Sequence, residues 1–453
     1  MLVSVLSTAF WGILLLSCLV FLHEGGHFLA ARACGVRVTE YFLGLPCRWR
    51  LAYTSRRNGT TFGITPLLLG GYAMICGMDP GESPHAARVL GFVHRRGTAS
   101  VEDICSELAL SEDEAYEACA QLMGWGSLEP VYDPEQGEVP GGSTYPSTYA
   151  APARDKNGNT LLDGRCFDRA QASVTGAPWV PPMDDAAFLE QERKHTYLGK
   201  GFFARAFMLV AGILVNLVSG LLLLMSIYSI VGIEVSLDVN SIGAVEAGSQ
   251  ADEIGLEAGD TIVSVDGVAT ESWMDVVNAL DTASDGEPFD IVVERDGVET
   301  SVTAALDPDG LLGISIPTQV VRLGPIESAQ VSFDYIAQTA ASILQLFNPA
   351  QTMEMLDSST SIVGISVMSA QAAAAGPTTF LTLAALISFS LGLMNLLPIP
   401  PLDGGKLLIE IVQAVIGREL PLKVQTALSY VGVALFLMLF VYVLRNDVIR
   451  FIL

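Results

Sequence analysis

The sequence predicts a polytopic α-helical membrane protein with four transmembrane helices, a membrane-associated β-hairpin or sheet, one small α+β domain outside the membrane and a small helical insert inside it. Three observations carry this expectation. The 453-residue chain is 51% hydrophobic with a mean hydropathy of +0.45, too apolar for an ordinary soluble protein. Four stretches, 3–22, 206–231, 379–397 and 427–444, supply the roughly 20 apolar residues that a spanning helix needs. Lys and Arg collect on the cytoplasmic side; Arg32, Arg37, Arg48, Arg50, Arg56 and Arg57 crowd the first loop, whereas no Lys or Arg occurs from Ile233 to Thr261.

Residues 1–34 form the first transmembrane helix. A cleavable signal sequence would carry a basic start and end sooner, but here the apolar run continues through Phe28, Leu29, Ala30 and Ala31. All seven cysteines (Cys18, Cys34, Cys47, Cys76, Cys105, Cys119, Cys166) precede the second span. Thiols confined to the reducing side agree with a cytoplasmic first loop, and no disulfide framework is implied. The strand-rich loop 35–83 follows, with an Asn58-Gly59 pair suited to a type I′ hairpin turn and a corner at Gly70-Gly71-Tyr72.

From 84 to 133 the pattern changes to short amphipathic helices. Ser111 and Glu114 form a capping box, Gly124 is a helix stop, and Gly124-Trp125-Gly126 turns the chain. Two helices and a Gly-rich turn resemble a winged helix. Nucleic-acid binding is not expected, because no Lys or Arg lies between Arg96 and Arg154 while Glu112, Asp113, Glu114 and Glu117 crowd the candidate recognition helix. The net charge of -25 likewise argues against a polyanionic partner. A spacer or protein-contact role is expected. Residues 134–195 are rich in Gly, Pro, Ser and Thr and read as a flexible, poorly ordered linker.

The second transmembrane helix is expected at 200–232. The region 236–318 alternates β-type runs (Thr261–Val265, Phe289–Val293, Val302–Ala305) with one helical stretch, Trp273–Leu280. Its run Gly255-Leu256-Glu257-Ala258-Gly259-Asp260-Thr261-Ile262, continuing to Val265-Asp266-Gly267, resembles the PDZ domains of bacterial membrane-associated proteases, which add a partner's extended end to a sheet edge. Residues 325–376 are an amphipathic surface region, with a helix at 333–347 lying on the membrane. The third transmembrane helix and a Leu-Asp-Gly motif occupy 377–405. The fourth helix and the C-terminus occupy 406–453.

The chemistry concentrates at two places. His23-Glu24-Gly25-Gly26-His27 sets two imidazoles at i and i+4, one above the other on a helix, so both can reach one metal ion. Glu24 projects about 100° around the axis from His23, in the arrangement of two ligands and a general base found in zinc proteases. Ionisable groups inside a spanning segment are costly and persist where they have a function and a partner. A catalytic zinc keeps three protein ligands and an open position. Asn395-Leu396-Leu397-Pro398-Ile399-Pro400-Pro401-Leu402-Asp403 breaks the third span with three prolines and then presents a carboxylate. Irregular backbone at that depth is expected only where it lines protein or a wet cavity.

Together these motifs closely resemble the site-2 protease family of intramembrane zinc metalloproteases, in particular the bacterial regulator of sigma-E protease type. The likeness covers most of the chain apart from about 84–190. It implies Zn2+ held by His23, His27 and Asp403, Glu24 as catalytic base and a substrate contact at Asn395, and Asn216, expected near substrate, matches a second-span motif. Because a helical substrate shields its carbonyls, the Asn58-Gly59 hairpin and the Gly70-Gly71-Tyr72 corner are expected to pair with it as an added strand. It implies hydrolysis of peptide bonds in transmembrane segments of single-pass proteins, such as anti-sigma factors or signal-peptide remnants, and a multi-pass protein in contact with the lipid of the bacterial cytoplasmic membrane. With the basic loop inside, both termini and the PDZ-like domain are extracytoplasmic and residues 35–200 cytoplasmic. Ile213 stands where the family usually has proline, and Ser361-Ile362-Val363-Gly364-Ile365 replaces the common Gly-Pro-Val-Gly-Ile. The rival reading is a non-catalytic PDZ receptor with a structural metal, which requires a fourth protein ligand.

Overall fold

The computed structural model describes residues 2–78, 81–140, 145–283, 288–307, 311–346 and 348–451. It divides into two compact units, Met1–Leu223 with Ser332–Leu453, and Leu224–Val331. Four helices are long and apolar enough to cross a membrane: Val5–Ala33, Phe202–Val231, Pro377–Asn395 and Leu422–Arg450.

Helix α1 (Leu2–Ala33) runs unbroken for 32 residues, about 48 Å at 1.5 Å per residue. That exceeds the ~30 Å hydrocarbon core, and His23 and His27 lie in its C-terminal third. Strands β1 (Val38–Leu43), β2 (Leu51–Thr54), β3 (Thr61–Ile64) and β4 (Gly71–Ile75) follow in the spatial order β2-β3-β1-β4. β1 and β3 are parallel and the other neighbours antiparallel. The hairpin expected at Asn58-Gly59 exists, but its turn is not the two-residue type I′. Residues 55–60 form the loop, Gly59 alone adopts positive φ (+70°) and Asn58 does not. The Gly59 N–H donates to the Ser55 carbonyl at 2.9 Å, and the Thr60 hydroxyl donates to Val38 of the central strand. A tie from the loop's end to β1 thus replaces the tight turn.

The segment expected as an insert contains α2 (Ala86–Arg96), β5 (Thr98–Ser100), α3 (Val101–Leu108), α4 (Glu112–Gly124), β6 (Glu129–Val131), β7 (Thr148–Ala150) and α5 (Asp185–Arg193). Its core is built from Leu90, Val93, Ile104, Leu122, Tyr149 and Phe188. The Ser111–Glu114 capping box is present at the start of α4. Residues 134–195 differ from the linker expected there. β7 is the middle strand of the sheet β5-β7-β6, and α5 packs on α2 through Phe188. The cause lies in charge rather than apolar periodicity. Arg37, just before β1, donates from Nε and Nη2 to Asp163 (2.7 and 2.8 Å) and from Nη1 to Glu192 (2.7 Å), and Arg154 donates to Glu192 at 2.9 Å. All four side chains are almost wholly buried. Of this segment, 141–144 lie outside the described residues.

α6 (Phe202–Ser226) continues into a π turn, Ile227–Val231. The second unit carries β8 (Ile233–Ser236), β9 (Ala244–Val245), α7 (Gln250–Glu253), β10 (Thr261–Val265), β11 (Val268–Ala269), α8 (Trp273–Ala283), β12 (Phe289–Arg295), β13 (Val298–Ala304), β14 (Ile314–Ser315) and β15 (Thr318–Val321). Its main sheet has the order β11-β10-β12-β13, and β9 pairs with β14 and β8 with β15. Ile262, Val265, Val276, Ile291 and Leu312 fill the core. Arg295 clamps Asp260 through two hydrogen bonds of 2.6 Å. A groove of about 470 Å³ runs between α8 and the β9-β14 ladder, lined by Val245, Trp273, Val277, Leu280 and Ile314. Residues 284–287 and 308–310 of the expected 236–318 domain lie outside the described residues.

The remainder comprises α9 (Pro325–Gln345), α10 (Thr352–Ser358), α11 (Ile362–Ala375), α12 (Pro377–Asn395), α13 (Asp403–Ile416) and α14 (Leu422–Phe451). Two expectations change here. The region 325–376 is not wholly a surface element, because apolar α11 packs along α1 and against α12 and α14. Asp447 of α14 fixes its start by accepting the Ser361 and Gly364 N–H groups at 2.6 and 3.1 Å. Residues 406–453 are not a single span with a tail, since α13 precedes α14 and ends at Gly417, which has φ +73°.

Candidate metal centre

Three elements converge on one point. α1 supplies His23 and His27 on adjacent turns, α6 passes behind them, and the break after α12 delivers Asp403 at the first position of α13. His23 Nε2 lies 3.0 Å from Asp403 Oδ2, His27 Nε2 lies 3.1 Å from the same oxygen, and the two Nε2 atoms are 3.2 Å apart. Four ligands placed tetrahedrally at 2.0–2.1 Å would have edges of about 3.3 Å. The three donors therefore stand almost as three corners of a zinc tetrahedron. Among the described residues they are the one group of His, Cys, Asp or Glu side chains close enough to hold an ion.

The remote sides of both rings fit that role. His27 Nδ1 donates to the Met208 carbonyl of α6 at 2.7 Å, which leaves its Nε2 lone pair directed at the site. His23 Nδ1 lies 3.4 Å from the Asn216 amide, whose Oδ1 is buried without a hydrogen-bond partner. Amide oxygen and nitrogen are interchangeable by rotation. Turned over, Asn216 presents its oxygen to His23 Nδ1–H and leaves that Nε2 free in turn. Close helix approach makes this possible: a Cβ on Gly26 would stand 2.5 Å from the Ala211 carbonyl oxygen, and one on Gly212 would run into His27 and lie 2.8 Å from His23 Cε1. Only hydrogen at these two positions lets α1 and α6 cross at the imidazoles. The donor set, its spacing and its outer hydrogen bonds fit zinc.

Glu24 leaves the ligand face and turns toward the sheet. Its Oε2 accepts the Ala73 N–H of β4 at 3.1 Å. Tyr41 of β1 stacks on Phe21 and donates its hydroxyl to the Phe21 carbonyl at 2.7 Å, pinning the sheet to α1 one turn from Glu24. Gly71 is close-packed, with a Cβ there 3.3 Å from Phe21 Cα, and Gly70 precedes it with φ +136°. Tyr72 faces away, stacked on Phe42 and donating to Glu40 at 2.7 Å. Asn395 ends α12 with its amide donating to its own helix at Leu391, 2.9 Å away. Asn216 was expected to touch substrate but is wholly buried behind His23. The Met208 carbonyl and the Ala73 N–H are backbone groups that carry no signal in the sequence, whereas Gly212 lies one helical turn before Asn216 on the same face and was legible there.

Known zinc metalloproteases are similar to this chain along nearly its whole length. The sequence model of peptidase family M50 matches residues 11–439. Zinc metalloprotease RasP of Geobacillus kaustophilus is 27% identical, with 97% of each chain covered. Regulator of sigma-W protease RasP of Bacillus subtilis is 26% identical, again over 97% of each chain. Regulator of sigma E protease of Haemophilus influenzae is 25% identical over 97% of this chain and 98% of its own.

Proposed function

The chain belongs to peptidase family M50 and is a zinc metalloprotease of a bacterial membrane, and we propose that it hydrolyses peptide bonds in the transmembrane segments of single-pass proteins, with His23, His27 and Asp403 as zinc ligands and Glu24 as general base. The observation that carries this reading is the convergence of two imidazole nitrogens and one carboxylate oxygen within 3.0–3.2 Å, the imidazoles on a helix apolar enough to span a bilayer and the carboxylate just past the end of another. The receptor alternative needs a fourth protein ligand, and among the described residues the group has three.

Zinc, when bound, supplies Lewis acidity toward the scissile carbonyl and toward water. Met208 and Asn216 orient the two rings. Glu24, next to His23 but off the ligand face, takes a proton from water and returns it to the leaving amine; the Ala73 N–H steadies its carboxylate. A helical substrate shields its own carbonyls, so it must be drawn out. β4 is an edge strand whose Ala73 N–H is given to Glu24 rather than to β1, and a substrate segment paired beyond the Gly70-Gly71-Tyr72 corner would lie extended beside the base. The Arg-rich first loop and the Lys- and Arg-free 233–261 stretch support a cytoplasmic 35–200 region, with both termini and a PDZ-like second unit outside. The groove between α8 and β9-β14 supports the PDZ reading, and the order α2-β5-α3-α4-β6-β7 supports a winged-helix insert. Anti-sigma factors and signal-peptide remnants are the substrates we favour, given relatives named for sigma-factor regulation.

The test is cleavage of a tagged transmembrane substrate by the purified chain in detergent. Glu24→Gln should lower the rate by at least ~100-fold while zinc content stays at one per chain, and a chelator should stop the wild type. Undiminished cleavage by Glu24→Gln would sink the assignment.

A further inference from the structure

The face of α13 that carries Asp403 in its first turn carries Lys406, Glu410 and Gln413 in the turns that follow. Those three line a cavity of about 740 Å³ together with Arg205 of α6, Glu419 just before α14, and Glu117 of α4 in the insert. The cavity therefore leads away from the metal centre at the end of the bundle where α1 finishes and α6 and α14 begin. Four carboxylates border it, Glu82 being the fourth, against the two cations Arg205 and Lys406. Two of the four are already engaged: Glu410 pairs with Arg205 at 3.1 Å and accepts the Tyr197 hydroxyl at 3.1 Å, and Glu82 pairs with Arg193 at 3.2 Å. Glu117 and Glu419 have no cation at ion-pair distance among the described residues. Independently of these charges, the Gln413 side chain is nine-tenths buried, borders the cavity, and makes no side-chain hydrogen bond among the described residues. Its carboxamide opens onto the cavity rather than being sealed in protein, so a ligand there can exchange hydrogen bonds with it.

We propose that this cavity receives the Lys- or Arg-bearing flank of the substrate, and that Glu117, Glu419 and Gln413 select for it. The proposal rests on the reading of the chain as an intramembrane protease with this end cytoplasmic. Membrane proteins carry their excess of Lys and Arg on that side of their spanning segments, so a substrate cut near its inner end presents cations where the unpaired carboxylates stand. An anionic headgroup fits worse, because carboxylates outnumber cations in the lining. The order of charges along α13 sets a spacing. Lys406 is three residues from Asp403 and repels a cation close to the scissile bond, whereas Gln413 is ten residues along, about 15 Å. An extended chain covers that distance in about four to five residues.

The experiment compares, in detergent with the full chain, three tagged transmembrane substrates that differ only in a flank of three residues beginning about four positions from the cut: Lys, Gln or Glu. The wild type should cleave the Lys-flanked substrate with kcat/KM about tenfold above the Gln-flanked one, mostly through KM, and the Glu-flanked one more slowly still. In Glu117→Lys/Glu419→Lys the order should reverse. In Glu117→Gln/Glu419→Gln, which guards against misfolding of the double reversal, and in Gln413→Leu, the Lys-to-Gln ratio should fall toward one. Cleavage of all three substrates with no flank preference, or a preference untouched by these variants, overturns the selection while leaving the protease reading intact. Failure of the wild type to cleave any of them removes that reading and this proposal with it.

Discussion

A histidine binds a metal through the nitrogen that its other hydrogen bond leaves free, so the partners behind the rings decide as much as the rings do. The Met208 carbonyl settles His27 without any side chain. His23 depends on Asn216, a residue with no exposure at all. Asn216→Ala should therefore weaken zinc binding by about 10- to 100-fold and leave KM for substrate unchanged in zinc-saturated protein. Competition against a chromophoric chelator measures the first and steady-state kinetics the second; a raised KM with zinc affinity intact would return Asn216 to a substrate role. His23, His27 and Glu24 were legible in the sequence because i, i+1 and i+4 spacing on a helix is a local property. Asp403 was legible only through the proline break that precedes it and the family likeness. The burial of Asn216 behind His23 was not legible, because a sequence shows which helix a residue is on but not how deep it is buried.

Among the elements, β4 and the insert differ most from what periodicity could convey. The hairpin at 51–64 was visible in its alternating residues, but its turn was not, since Asn58-Gly59 is overruled by the Thr60 hydrogen bond to Val38, a tertiary contact. Pairing of substrate with β4 makes a substrate-side prediction that leaves the protein untouched. Backbone N-methylation of a synthetic substrate at successive positions should slow cleavage at alternate positions only, because an edge strand exchanges hydrogen bonds with every second residue of its partner; a rate indifferent to position would remove the pairing. The segment 134–195 was misread because a Gly-, Pro- and Ser-rich composition hides a buried charge network. His94 donates from Nδ1 to Leu90 and accepts at Nε2 from Arg154, at 2.9 Å each, and burial with the adjacent Arg154 charge pushes its pKa down to about 3. Burial would raise the Glu192 and Asp163 carboxyls, but Arg154 and Arg37 beside Glu192, and His195 and Arg37 beside Asp163, hold them well below the usual range. All three groups refuse protons that the unfolded chain accepts. Their contribution to stability is complete above the unfolded histidine pKa of about 6.5 and is lost as pH falls, first through His94 and then, below about 4.5, through the carboxylates. Hydrogen exchange followed by mass spectrometry should show residues 148–193 losing protection on acidification before the hydrophobic core of the second unit does. Glu192→Ala should destabilise this region at neutral pH by about 3–5 kcal/mol, since it leaves buried Arg154 without a carboxylate and Arg37 with Asp163 alone.

At the scale of the whole molecule, the four spans were legible because length and hydropathy are read from the chain alone, whereas α11 and α13 were not. Each has 14 residues, too few to cross a bilayer, and only tertiary packing shows that one lies against α1 and that the other carries Asp403. The second unit offers the sharpest separation of roles. Its first and last strands, β8 and β15, pair antiparallel with Ile233 opposite Val321, so the chain leaves the unit within about 5 Å of where it joined it. Everything between can thus be removed and replaced by a short Gly-Ser linker without pulling α6 and α9 apart. If the unit only screens substrates, the excised protein should keep its zinc and cleave a substrate with a trimmed ectodomain at the wild-type rate, and it should gain cleavage of one carrying a folded ectodomain. If the groove lined by Val245, Trp273 and Leu280 instead recruits substrate by an extended end, the trimmed substrate should be cut more slowly with raised KM. Trp273→Ala in the intact chain should then reproduce that loss, because the indole is the largest apolar side chain in the groove and its truncation typically removes 2 kcal/mol or more of binding, about 30-fold in KM. Screening predicts no effect of Trp273→Ala on the trimmed substrate, so the pair of measurements decides between the two roles.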